Sequence, residues 1–194
     1  MEPAKLSALF GHSSAATSEL ASKLEIEIRS KVDSEIEVAI FAINAQTGID
    51  QNTIDLWHNF DDLLTPRILL INGLTEGELD FDDAVLIARR VLDEVATPYL
   101  VLHDDAGNPA GLISLSDNQI IDYSNDKKYP AEPEHITLVS EFREEFLRQL
   151  EAAGDHGFES GIFFPAIPIV LPKIGVDLAK SYIERIKNSP SLGD

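Results

Sequence analysis

Three short apolar runs, each followed by a break and then an amphipathic stretch, constrain this chain most. They are Leu6 to Phe10 (LSALF), Val38 to Ile43 (VAIFAI) and Ile68 to Asn72 (ILLIN). Apolar runs of this length, bounded by turns and without polar alternation, read as strands buried on both faces. Gly11 closes the first, and a helix is expected from Ala15 to about Lys23, with Leu20 and Leu24 one turn apart. After the second, Asp50 is the expected N-cap of a helix with Ile54, Trp57 and Phe60 on one face, stopped by Pro66. After the third, Asp80 and Asp83 have capping-box spacing ahead of a helix whose stripe is Val85, Ala88, Val91 and Leu92. The segment Leu24 to Ser30 (LEIEIRS) alternates at period two and fits a strand or a continued helix. Strand–helix alternation predicts an α/β fold with a mainly parallel sheet, helices on both faces and right-handed crossovers.

Near Thr97 the rhythm changes. YLVL and AGLISL flank the turn-rich DDAGNP, and NQIIDYS follows a Ser-Asp-Asn turn, so an antiparallel meander is expected. DKKYPAEPE reads as a connector. A helix then carries Val139, Phe142, Phe146 and Leu150 on one face, with Gly154 beyond its end. Pro165 and Pro168 limit the apolar run after Ile162 to a short or edge strand, and VDLAKSYIERI is the last helix. The expected organisation is a core over 1–96, an inserted β subdomain over 97–130, and the rest of the core over 131–194.

Charge narrows the function classes. The 194 residues hold 15 Lys+Arg against 34 Asp+Glu, a net charge of −19. Such a chain repels polyanions on average, so direct nucleic-acid binding and anionic membranes are not expected partners. It has no Cys, which excludes disulfides, thiolate metal sites and a Cys nucleophile. No apolar run reaches membrane-span length, and the N-terminal segment has no signal-peptide pattern, so a cytoplasmic location is expected. Asp104, Asp105 and Asn108 surround Gly107 and read as turn chemistry rather than metal ligands. His12, His58, His103, His135 and His156 show no ligand spacing, and Glu141, Glu144, Glu145 and Glu151 read as a solvated helix face.

In a sheet of this kind the ligand lies beyond the carboxyl ends of the strands. The first strand leads into Gly11-His12-Ser13-Ser14-Ala15-Ala16-Thr17-Ser18. Gly11 and Ser18 match the first and last positions of the phosphate-loop pattern G-x-x-x-x-G-K-[ST]. Ala16 stands at the second glycine and Thr17 at the lysine. Threonine supplies no charge to a phosphate, and the Ala16 Cβ disfavours φ > 0. What survives is a helix N-terminus flanked by hydroxyls, a generic anion site.

The chain resembles the GTP-binding domain of elongation factor G and its divergent bacterial paralogues. GHSSAATSELA (Gly11 to Ala21) is similar to that family's G-H-S-G-A-G-K-T-T-L-A. IFAINAQTGIDQNT (Ile40 to Thr53) is similar to its V-V-V-x-A-x-x-G-V-x-x-Q-T. Pro66-Arg67 through Asn72-Gly73-Leu74-Thr75, then Leu79-Asp80-Phe81, is similar to its P-R-x-x-x-x-N-K-x-D and A-D-F segments. AGLISLSDNQIIDYS resembles its inserted subdomain, and KIGVDLAKSYIERIKNSPS the segment leading to its next domain. The resemblance implies a P-loop NTPase-like three-layer fold, and the departures from it bear on function. Only about fifteen residues separate the first helix from the strand at Val38, too few for both switch regions, so switch-region strands are expected to be missing. In Asn72, Gly73, Leu74 and Thr75 the guanine-recognising aspartate has become threonine.

The expectation is therefore a pseudo-GTPase: Gly11 to Ser18 as a vestigial phosphate loop, Asn72 to Thr75 as a vestigial base site, and no catalytic residue. No cofactor is expected; GTP and Mg would bind only at low affinity, with Ser18 as metal ligand only if nucleotide binds. A protein partner or a homodimer is expected through the edge of the Leu6 to Phe10 strand, left bare by the missing switch strands. The alternative is a weak GTP binder or residual GTPase related to translation factors.

Overall fold

The apolar runs pair side by side, and helices close over both faces. In a computed structural model describing residues 6–189, β1 (Leu6–Gly11) leads through a 3-10 turn, Ser13–Ala15, into α1 (Thr17–Leu24). Glu25 ends α1 in a left-handed conformation, φ +58°, and β2 (Glu27–Ile28) follows. The ambiguous segment Leu24 to Ser30 thus ends one element and supplies the next. β3 (Ile36–Asn44), α2 (Gln51–His58), β4 (Arg67–Asn72) and α3 (Phe81–Val91) come next. The antiparallel part is β5 (Tyr99–His103), β6 (Pro109–Ser114), β7 (Gln119–Asp122) and β8 (Lys127–Pro130). The chain finishes with α4 (Pro133–Leu138), α5 (Ser140–Ala153), β9 (Ala166–Pro168) and α6 (Val176–Asn188). Met1 to Lys5 of the N-terminal segment, and Pro190-Ser191 of the C-terminal family segment, lie outside the described residues.

The main sheet is parallel throughout, in the order β2-β1-β3-β4-β9. From β1 the chain steps to one side, and from β3 to the other. Right-handed crossovers therefore put α1 opposite α2, and the switch point falls between β1 and β3. α6 packs against α1. On the α2 face Phe10 stacks on Phe41 at 5.2 Å, and Trp57 meets Phe41 edge-on at 5.0 Å. Aromatic pairs of this kind add about 1 kcal/mol each beyond area burial. Leu100, Ile113, Leu115 and Ile120 of the antiparallel segment join the same apolar cluster as the main sheet.

Several expected details change. α2 stops at His58, before Phe60, yet Phe60 is fully buried from the following turn. The helix expected through Val139 is two helices, and of its stripe only Val139 and Phe146 are buried; Phe142 and Leu150 are 39% exposed. The expected connector contains β8. The edge of β1 is not bare: β2 pairs with Ala8 and Leu9, and the Arg29 amide donates to the Leu9 carbonyl at 2.9 Å. That side of the sheet is thinned to two residues rather than stripped.

A buried cation fixes the lower end of the sheet. Arg67 is 2% exposed and stacks over Trp57 and Phe164, 4.9 and 4.4 Å from the ring centres. It donates to the Trp57 carbonyl at 2.8 Å and to Asp61 Oδ1 at 2.6 Å. The other Asp61 oxygen lies 3.1 Å from His58 Nδ1, and His58 Nε2 lies 3.0 Å from the Val91 carbonyl. Partial burial opposes the imidazolium. The Val91 carbonyl and the Asp61 carboxylate, with Asp93 adding, outweigh it and raise the His58 pKa above its ordinary 6.5. For Asp61 partial burial is likewise outweighed, by hydrogen bonds from Arg67 and His58, and its pKa is lowered.

Two outcomes are expected. Asp61→Ala strips a buried guanidinium of its counter-ion and destabilises by about 2 kcal/mol, whereas Arg67→Met removes the charge itself and costs less; urea denaturation of both variants measures the order. A pKa raised by folding stabilises fully below the unfolded value and is lost as pH climbs through the folded one. The His58 contribution is thus full below about pH 6.5 and fades above it, so the urea midpoint should fall between about pH 6 and about pH 8. His58→Gln should flatten that slope.

Candidate functional site

The switch point is occupied by two loops, the one after β1 and the one after β3. Gly11 opens the first at φ +145°, and a Cβ there would lie 2.3 Å from the Ala42 carbonyl oxygen, so only glycine lets β1 run this close to β3. Beyond it the chain folds on itself. The Ala15 amide donates to the His12 carbonyl at 3.0 Å, and the Ala16 amide to the Ser13 carbonyl at 3.2 Å. The Ser14 amide donates to His12 Nδ1 at 3.2 Å, and the Ser14 hydroxyl lies 2.9 Å from the same nitrogen. His12 thus caps the turn. Ala16 adopts φ +51°, ψ +37°, the left-handed conformation its Cβ disfavours. The amides of Thr17, Ser18 and Glu19, in the first turn of α1, have no partner among the described residues.

Two side-chain amides close the loop from below. Asn44 and Asn72 end β3 and β4 and face each other as register partners. Asn44 Nδ2 donates to the Ser14 carbonyl at 3.0 Å, and Asn72 Nδ2 donates to the Ala15 carbonyl. Asn44 Nδ2 also reaches Glu76 Oε2 at 3.0 Å, and Asn44 Oδ1 accepts from the Gln46 amide at 2.8 Å. Asn72 Oδ1 is buried without a hydrogen-bond partner among the described residues. The Ser14 and Thr47 hydroxyls, 3.2 Å apart, join the two loops at the rim.

The segment after β4 is held just as closely. Gly73 has φ +73°, and a Cβ on it would sit 2.3 Å from Asn44 Oδ1, so Asn44 occupies the space a side chain at 73 would need. Gln46 Nε2 donates to the carbonyls of Gly73 and Leu79 at 3.0 and 2.7 Å, while its Oε1 accepts from the Leu79 amide at 3.2 Å. Leu74 is half-buried against the core, and Thr75 is exposed. Glu76, through Asn44, and Asp50, which caps α2 through the Thr53 amide at 3.0 Å, bring negative charge to the site. Partial burial acts to raise the Asp50 pKa, but its Thr53 bonds and the nearby His12 outweigh this and lower it. No Lys or Arg is bonded to any residue from Gly11 to Ser18 among the described residues.

The expected site residues are therefore brought together: the loop 11–18, Asn72 and Gly73 meet at one junction. Thr75 turns away to solvent, and Ser18 is exposed on α1. Asn44, Gln46 and Glu76 complete the site and were not expected. Their one sequence signal is a polar residue ending each buried strand, Asn44 and Asn72 alike. Among the described residues no group of three or more His, Cys, Asp or Glu is placed to hold a metal ion. Asp104 instead accepts the Ala106 and Asn108 amides at 2.9 Å, organising its own turn.

No protein-family model matches the chain. Elongation factor G-like proteins of two Mycobacterium tuberculosis strains, CDC 1551 and H37Rv, are each 25% identical over 159 aligned residues, covering 69% of this chain and 22% of theirs. A solved Thermus thermophilus protein superposes with a TM-score of 0.73 at 17% identity, over 96% of this chain and 40% of that one. This chain resembles an elongation factor G-like G domain. The likeness to the solved protein concerns fold alone, and the chain spans about a fifth of the curated relatives' length. No helix among the described residues is long and apolar enough to cross a membrane.

The clamp has a measurable consequence. Asn72→Ala leaves the buried Ala15 carbonyl without its donor and should cost about 1–2 kcal/mol, with faster hydrogen exchange at the Ser14 to Ala16 amides. Ser18→Ala, on an exposed hydroxyl, should stay within about 0.5 kcal/mol of the parent.

Proposed function

We propose that this chain is a degenerate elongation factor G-like G domain that does not hydrolyse GTP and acts through contact with a protein partner. The observation that carries this reading is the loop 11–18 itself. Its turn amides are bonded to His12 and to its own carbonyls, and Asn44 and Asn72 hold it from below. Phosphoryl transfer needs little covalent chemistry from a protein, but it does need positioned positive charge and hydrogen-bond donors around the phosphates. The three unpartnered amides at the start of α1 offer a helix dipole without a cation. Glu76, bonded to Asn44, and Asp50, close to His12, bring negative charge to the loop, and Thr75 offers guanine no carboxylate.

The fluorescence of a GTP analogue, titrated with magnesium, tests the proposal. No saturable binding is expected below about 100 μM, and no phosphate release above the uncatalysed rate. Saturation in the low micromolar range that Ser18→Ala abolishes would establish the GTP-binding alternative instead.

A further inference from the structure

A cavity lies away from the loop 11–18, between the antiparallel sheet, α5 and α6. Its volume is about 230 Å³. Phe146, Phe158 and Phe163 give it an aromatic floor, and Tyr99 and Tyr182 stand at its sides. Phe158 meets Tyr182 edge-on at 5.0 Å, and Phe146 meets Phe163 at 6.2 Å. The two phenol hydroxyls make no hydrogen bond among the described residues. Burial first, then nearby negative charge, raises both their pKa values, so they stay neutral donors and acceptors.

The cavity lining carries one acid, the exposed Asp155, and one base, Arg185. Arg185 lies over the Phe158 and Tyr182 rings and donates from Nε and Nη2 to Glu159 Oε1, at 3.0 and 2.7 Å. Its charge is therefore matched by Glu159. The second Glu159 oxygen is buried with no donor, and Asp155, which lines the cavity, has no ion-pair partner among the described residues. Aromatic faces, an unmatched carboxylate and a net charge of −19 all favour a cation.

We propose that this cavity binds a small organic amine, an ammonium group carried on an aromatic or branched apolar body. The body lies among the three phenylalanines, and the ammonium faces Asp155 and the tyrosine hydroxyls. The proposal does not depend on what the loop 11–18 does, because no residue of that loop lines the cavity.

Phenethylamine titrated into ¹⁵N-labelled protein, followed by amide chemical shifts, tests it. Shifts should concentrate at Tyr99, Gly154 to Phe158 and Ser181 to Arg185, with a dissociation constant on the order of 1 mM for so small a probe. Phenylacetate, with the same ring and the opposite charge, should bind at least about tenfold more weakly, a ratio of about 1.4 kcal/mol. Asp155→Asn should weaken the amine about threefold. Ser181→Trp, at an exposed position lining the cavity, should abolish binding while the circular dichroism spectrum and thermal midpoint stay those of the parent. Phenylacetate binding as tightly as the amine, shifts centred elsewhere, no shift up to about 20 mM, or full binding by a folded Ser181→Trp variant would each overturn it.

Discussion

The register of β3 against β4 governs the upper end of this molecule. It sets Asn44 opposite Asn72, each at the last position of a buried parallel strand, where the ladder ends and a side-chain amide is free to turn upward. Two successive carbonyls, of Ser14 and Ala15, meet those two amides. A one-residue slip of either strand would bring Ile43 or Ile71 to the loop and leave the carbonyl served by that strand unsatisfied. The turn at 13–15, the left-handed Ala16 and the start of α1 all depend on that pairing. So does Gly73, since the space beside it is filled by Asn44.

The same interaction explains how a loop with Ala16 and Thr17 at its exit is compatible with a well-packed chain. A loop that must bind phosphate keeps its amides unpaired until the ligand arrives, and that arrangement is unstable without the ligand. Here His12 and the loop's own carbonyls satisfy the turn amides, while the asparagines satisfy the carbonyls. The left-handed strain at Ala16 is of order 1 kcal/mol, and the surrounding hydrogen bonds offset it.

Much of the fold is legible in the sequence because its signals are local. The three apolar runs, the Asp50 cap and the Asp80–Asp83 capping box depend on neighbours within a few residues, and all are found as read. What escapes is nonlocal. β8 is Lys-Lys-Tyr-Pro with all four residues exposed, and only its pairing with β7 makes it a strand. β2 is two residues long and exists because β1 offers an edge. The break at Val139 depends on how α4 and α5 meet the core, not on any Gly or Pro within the run. At the site, Gly11 to Ser18 and Asn72 were visible through their family pattern. Asn44 and Gln46 were not, because their roles arise from partners about thirty residues away in sequence.

Charge gives the remaining link between sequence and site. An excess of 19 acids does not itself forbid an anion site, since a few well-placed cations suffice locally. What matters is where the cations stand. Arg67 is buried between two aromatic rings against Asp61, Arg89 joins α3 to Glu145 of α5 at 2.6 Å, and Arg185 joins α6 to Glu159 at 2.7 Å. Lys173 ties the turn before α6 to Asp126 at 2.5 Å, and Lys128 of β8 reaches Asp117 at 3.3 Å. These cations join one element to another, away from the carboxyl ends of β1, β3 and β4. In a chain this acidic such links reduce repulsion between packed elements, and a cation moved to the loop 11–18 would leave one of them unmatched. None of these ion-paired cations belongs to the loop 11–18, while Glu76, bonded to Asn44, and Asp50, beside His12, bring acids to it.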